Sequence, residues 1–247
     1  MSAQRKRLDQ VLVERGHYES RERAKRAVMA GLVLLNDQPA TKPGQQIKPD
    51  VIIRLKESDP FVSRGGLKLD HALTHFDMDV RGRIAADLGA STGGFTDCLL
   101  QRGVEKVFAI DVGQGQLAWK LRTDERVVVM EKTNARHLKK DQLDAPIDLI
   151  VVDCSFISLK HILPSAVDLL EPGGSIVALI KPQFEAGKEE ADKGRGVIRD
   201  ANVHQQVIES LQSFATNELP LDWHGVIESP ILGPAGNKEF LVWLEKH

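Results

Sequence analysis

The sequence predicts a doubly wound α/β sheet closed by an antiparallel hairpin and preceded by a small α+β module. Three observations carry that prediction. From Ile84 onward short apolar runs alternate with amphipathic segments, the rhythm of parallel strands linked by helices. The chain then ends on two strand-like segments, DWHGVIES and KEFLVWLEK, joined by Pro230 to Asn237 with no helix between them. Charge is divided as well. Residues 1–56 hold 12 Lys and Arg against 6 Asp and Glu, whereas the rest hold 21 against 29, so a basic front end precedes an acidic body.

The 247 residues, 42% of them hydrophobic, suffice for one large domain with an appendage. The expected boundaries are 1–60 for the module, 61–82 for a linker and entry helix, and 83–247 for the α/β domain. No apolar run approaches the ~20 residues that span a bilayer, and MSAQRKRLDQVLVERG lacks the apolar core of a signal peptide. A cytoplasmic chain is expected. Cys98 and Cys154 are too few for a disulfide framework or a metal site and read as buried thiols.

In the front end, Leu8, Val11 and Leu12 and then Ala24, Ala27 and Val28 recur at helical spacing, broken at Gly16-His17-Tyr18 and stopped by Gly31. Ser20 is placed to cap the second helix. Arg23, Lys25 and Arg26 in its first turns oppose the helix dipole, a conflict that a phosphate backbone would relieve. Leu32–Asn36 and Val51–Leu55 read as short strands around a Pro/Gly-rich connection. A compact basic module of this kind suggests nucleic-acid binding.

In the body, the first strand-to-helix turn is Asp87-Leu88-Gly89-Ala90-Ser91-Thr92-Gly93-Gly94. Its glycines let backbone approach a ligand at the carboxyl edge of the sheet. The spacing does not fit G-x-G-x-x-G but resembles the S-adenosylmethionine turn. Asp111 and Val112 follow the next strand, where a carboxylate can accept both ribose hydroxyls of an adenosine, and Asn134 follows the VVVME strand. Asp153 ends LIVVD and Lys181 ends SIVALI. A carboxylate and an amine are thus expected at adjoining ends of buried strands, where charge seldom serves packing.

The pattern Arg7-Leu8-Asp9, Leu12, Gly16, Ser20-Arg21, Ala24, Gly31, Val33, Asn36 resembles the S4-type RNA-binding domain. The resemblance implies contact with structured RNA through the two helices, with Arg5, Lys6, Arg21, Arg23, Lys25 and Arg26 meeting mostly phosphates. The terminal hairpin resembles that of Rossmann-like S-adenosylmethionine-dependent methyltransferases. Lys68, Asp153, Lys181 and Glu239, in that chain order, resemble the catalytic tetrad of the FtsJ-like ribose 2′-O-methyltransferases. Together with SRGGLKL, DVGQGQLAWKLR, DCSFISL, IKPQFE and GNKEFL, they make the chain similar to the TlyA family of rRNA methyltransferases, historically labelled hemolysins.

That resemblance implies methylation of a cytidine in large-subunit rRNA, with a small-subunit site used by some members. The basic module begins almost at once, at Arg5, which favours the large-subunit target. Lys181 is expected at the hydroxyl, as base or as stabiliser of the developing alkoxide, and Asp153 is expected to orient Lys181 and to sit near the methyl. Lys68 and Glu239 are expected to position the ribose, with Glu239 next to Lys181 as its orienter. S-adenosylmethionine is the expected cofactor and ribosomal RNA or its subunits the partner. No metal is expected: the His residues show no H-x-x-x-H pair with a carboxylate partner, and His71 and His75 read as structural. Lys188–Arg199 reads as a charged loop beside Lys181, RNA-facing or merely solvated. The competing readings are a non-enzymatic RNA-binding assembly factor, a cytolysin, and methylation of base carbon using Cys154.

Overall fold

A computed structural model describes residues 5–56, 60–187, 190 and 193–247. The chain divides into two compact units, Met1–Asp59 and Pro60–His247.

In the smaller unit, α1 (Leu8–Glu14) and α2 (Arg21–Met29) pack through Leu8, Leu12, Ala24 and Val28, all buried. The Ser20 hydroxyl caps α2 by accepting the Arg23 N–H at 3.3 Å. Strand β1 (Lys6–Arg7) pairs with β4 (Gln46–Ile47), while β2 (Val33–Leu35) lies between β3 (Gln38–Pro39) and β5 (Ile53–Leu55). Asn36 and Asp37 both adopt positive φ, 47° and 65°, the backbone that a two-residue hairpin between β2 and β3 requires. Both predicted strands are present and shorter: the first keeps its central Val33–Leu35 and the second its last three residues, Ile53–Leu55.

The larger unit opens with α3 (Gly65–His75), which buries Leu69, Ala72 and Leu73. Phe61, Leu69, Leu73, Met78 and Val80 belong to the core of this unit, so the 61–82 segment expected as linker and entry helix is built into the larger unit. A seven-stranded sheet follows in the order β11-β12-β10-β9-β6-β7-β8. Strands β6 (Ile84–Leu88), β7 (Lys106–Ile110), β8 (Val127–Met130), β9 (Ile147–Val152) and β10 (Leu170–Ile180) are parallel neighbours. β12 (Phe240–Lys246) runs antiparallel between β10 and β11 (Leu221–Glu228), as the terminal hairpin predicts.

The β6 and β9 runs are apolar without alternation because both sheet faces are covered. Ile150 and Val152 enter one apolar cluster, Leu149 and Val151 the other. The covering helices include α4 (Gly94–Gln101), the short α5 (Trp119–Arg122) and α6 (Leu163–Leu169). After α7 (Pro182–Glu185), α8 (Ala201–Glu218) buries His204, Val207, Leu211 and Ala215 along one stripe. Strand order reverses between β6 and β9, so the crevice beyond their carboxyl ends is the ligand-binding edge of such a sheet.

Candidate active site

That crevice holds a cavity of about 680 Å³. Its floor is the turn after β6, where Gly89 has φ +93° and an added Cβ would stand 2.9 Å from the Asp153 carbonyl oxygen. Only glycine lets the two strand ends approach so closely. Gly93, at φ +97°, turns the chain into α4, and an added Cβ there would strike Leu121.

All four tetrad candidates line this cavity, but they form two separate ion pairs. Lys181 Nζ lies 2.6 Å from Asp153 Oδ1. It also donates to the Cys154 carbonyl and to Ser155 Oγ, each at 3.0 Å. Lys68 Nζ donates to Glu239 Oε2 at 2.5 Å, and both groups are buried. The expectation that Glu239 orients Lys181 is therefore corrected. Glu239 is engaged by Lys68 on α3, and Lys181 is oriented by the loop after β9, since β9 is the sheet neighbour of β10.

Among the cofactor candidates, Gly89, Ala90, Ser91, Thr92 and Asp153 line the cavity. Asp111, at the end of β7, accepts the Ser91 N–H at 2.8 Å and the Gly113 N–H at 2.7 Å. It is half-buried and keeps lone pairs for further donors. Asn134 is exposed and accepts the Arg136 N–H as the cap of a short 3₁₀ turn, while Val112 is exposed. Asp87 is corrected from a ligand contact to an internal one. It is fully buried, and its Oδ2 accepts the Thr96 N–H at 3.0 Å and the Thr96 hydroxyl at 2.6 Å. Burial pushes the Asp87 carboxyl up to about 7, the Thr96 bonds opposing and the Asp153 charge adding to that shift. Its Oδ1 is buried without a hydrogen-bond partner among the described residues.

Sequence reasoning did not single out Ser155, Phe156, Gln183, Phe184 or Asn237 as site residues, yet all line the cavity. Phe156 is 90% exposed at φ +62°, and its ring centroid lies 5.1 Å from that of Phe184. An exposed aromatic in a strained backbone at a cavity mouth is a candidate ligand contact. Its sequence context, DCSFISL, does not set it apart. The 188–199 loop lies partly outside the described residues; within it, Asn237 accepts the Ile198 N–H at 2.9 Å and donates to the Gly196 carbonyl at 2.8 Å.

The thiol of Cys154 donates to the Leu88 carbonyl at 3.4 Å, and burial pushes it up to about 12. It is held as a packed thiol. No group of three or more His, Cys, Asp or Glu among the described residues is arranged to hold a metal. His71 and His75 are exposed, with ring centroids 6.3 Å apart.

In the smaller unit, Arg5, Lys6, Arg7 and Arg21 share a concavity of about 500 Å³. The buried Asp9 carboxylate fixes two of them, accepting from Arg7 at 3.0 Å and Arg21 at 2.9 Å. The Arg7 hydrogen bonds lead in holding that carboxyl down at about 2, against the effect of burial. Arg23 and Lys25 instead pair with Glu19 and Glu22 on the helix surface, and Arg26 is exposed beyond them. Of the six basic candidates, Arg5, Lys6 and Arg21 are thus brought together and the other three are not.

Comparison with known proteins gives two family matches: FtsJ-like methyltransferase over residues 61–246 and S4 domain over residues 6–53. The Bacillus subtilis protein YqxC, named as a candidate rRNA methyltransferase, is 49% identical, the match spanning 99% of this chain and 87% of the relative. The Mycobacterium tuberculosis 16S/23S rRNA (cytidine-2′-O)-methyltransferase TlyA is 44% identical across 98% of this chain and 90% of its own. A solved Streptococcus thermophilus structure, titled a candidate hemolysin, superposes with a TM-score of 0.75 at 44% identity, covering 99% of this chain and 89% of that one.

Proposed function

The chain belongs to the FtsJ-like methyltransferase family and, within it, to the TlyA group that carries an S4 domain; from that premise we propose that it transfers a methyl group from S-adenosylmethionine to the ribose 2′-hydroxyl of a cytidine in ribosomal RNA. The observation that carries this reading is the pair of lysine–carboxylate bridges facing one cavity beside the glycine turn. The proposed target is the large-subunit rRNA.

The cavity fits the cofactor. The Gly89–Thr92 turn would take its amino-acid end, and the Asp111 carboxylate, held by two N–H groups, would accept ribose hydroxyls. The cofactor supplies a methyl already activated on a sulfonium, so the protein's task is alignment and management of one proton. Lys181 meets the substrate hydroxyl. As the hydroxyl gives up its proton to the Asp153 carboxylate, the Lys181 ammonium would stabilise the negative charge left on the 2′-oxygen and so make it a competent acceptor for the methyl. Lys68 and Glu239 hold the ribose from the opposite side. Phe156 offers a ring on which the unstacked base can lie.

Methylation at base carbon would need a reactive thiolate near the methyl. The half-buried Cys154 thiol, occupied by the Leu88 carbonyl, is unsuited to that role. Cys154→Ala is expected to retain methyl transfer within about threefold of wild type, since ordinary packing is all it removes; a loss of more than 10²-fold, read as label incorporated into rRNA, would revive the base-carbon reading. No helix among the described residues is long and apolar enough to cross a membrane.

For the smaller unit, Arg21→Glu is expected to weaken rRNA binding at least tenfold and to lower the dependence of log K on log salt by about one phosphate contact. Arg23→Glu, at a side chain already paired with Glu19, is expected to do less. Filter binding across a salt series separates the two. The whole reading is tested by incubating the protein with labelled S-adenosylmethionine and either rRNA or isolated subunits, then digesting to nucleosides. Label in 2′-O-methylcytidine supports it; label in a methylated base, or none despite cofactor binding, overturns it.

A further inference from the structure

The Asp153–Leu159 segment is clasped at both ends from one side. At its start, Lys181 holds Asp153, the Cys154 carbonyl and Ser155. At its end, Glu185 Oε2 accepts the Ser158 hydroxyl at 2.6 Å and Glu185 Oε1 accepts the Leu159 N–H at 2.8 Å. Lys181 immediately precedes α7 and Glu185 is its last residue, so one short helix carries both grips. Between the two grips Phe156 stands at φ +62°, a strained conformation that persists only when its surroundings enforce it.

Glu185 is half-buried and makes no ion pair among the described residues. Burial raises its carboxyl above the ordinary range, opposed first by the Ser158 bond. A half-buried carboxylate whose hydrogen bonds both end on one loop is an expensive way to hold a surface turn, unless the position of that loop matters.

We propose that Glu185 is a positioning residue for methyl transfer: by tying Ser158 and Leu159 to α7 it sets the distance between Lys181 and the loop bearing Asp153 and Ser155. This rests on the reading that Lys181 serves the hydroxyl. The role of Glu185 depends on shape, not charge. A glutamine can accept the Leu159 N–H through its carbonyl while its amide donates to the Ser158 oxygen, because a hydroxyl both donates and accepts. Aspartate is one methylene too short to reach both partners, and alanine reaches neither.

Single-turnover and steady-state methyl transfer to rRNA by the full chain would be measured for wild type and for Glu185→Gln, Glu185→Asp and Glu185→Ala. Cofactor Kd, thermal midpoint and amide exchange over 153–159 would be recorded alongside. A displaced catalytic group of this kind costs about 10²-fold. The expected result is a kcat lowered by that factor in Glu185→Ala and by a lesser one in Glu185→Asp, with cofactor Kd within twofold and faster exchange confined to 153–159. Glu185→Gln should remain within threefold of wild type. Transfer by Glu185→Ala within threefold of wild type overturns the assignment. So does a fall in thermal midpoint and cofactor affinity that accounts for the lost activity, since a purely structural role would move them together. No transfer by wild type with either rRNA or subunits instead overturns the methyl-transfer reading on which the proposal stands.

Discussion

Lys181→Ala is expected to lower methyl transfer to rRNA by about 10³-fold while cofactor affinity stays within about twofold. An ammonium has three N–H donors, and Lys181 Nζ has three close acceptors: Asp153 Oδ1 at 2.6 Å, the Cys154 carbonyl at 3.0 Å and Ser155 Oγ at 3.0 Å. Its position is therefore set by the protein before substrate arrives, and one of these N–H groups turns from its protein acceptor to the 2′-oxygen when the hydroxyl docks. The cofactor turn, Gly89–Thr92, makes no hydrogen bond to the lysine, so binding and chemistry should separate in this variant. Lys181→Arg should rescue less than a tenth of the loss, because a planar guanidinium cannot direct three donors at this tripod. Single-turnover transfer with saturating cofactor, alongside calorimetric Kd, decides it. Near-normal transfer by Lys181→Ala would remove the lysine from the chemistry.

The legibility of this molecule from sequence follows the range of each interaction. Strands and helices were readable where period and punctuation agreed: LIVVD and SIVALI became β9 and the apolar end of β10, and the closing hairpin became β11 and β12. Asp153 and Lys181 were legible too, as neighbours at one sheet edge, because a charge at the end of an apolar strand has few structural uses. Lys68 and Glu239 were reached only through the resemblance to the FtsJ-like tetrad, and their pairing with each other was not legible. It depends on where α3 crosses the entry to β12, which local spacing does not encode.

Asp87 misled for a related reason. It precedes the glycine turn, where a ligand carboxylate is common, but as the penultimate residue of β6 it is fully buried and bonds to Thr96 on α4. Phe156 drew no expectation at all. Between Ser155 and Ile157 nothing in spacing or composition sets it apart, and its positive φ and 90% exposure are seen only in the folded chain.

The Lys68–Glu239 pair distinguishes function from stability. Its side chains are 9% and 1% exposed, so Glu239→Ala leaves an ammonium buried without its counter-charge, and a loss of about 3–5 kcal/mol in denaturant unfolding is expected. Desolvating both charges costs nearly as much as their attraction returns, and replacing a whole buried pair with apolar residues of similar size is often neutral or stabilising. The double variant Lys68→Met/Glu239→Leu should therefore recover most of the stability lost in Glu239→Ala. It should not recover methyl transfer, which is expected to stay at least 10²-fold below wild type. Restored stability with absent activity would mean the pair is retained for what it does to the substrate. Restored stability with restored activity would reduce it to a packing element and leave Lys181 and Asp153 to act alone.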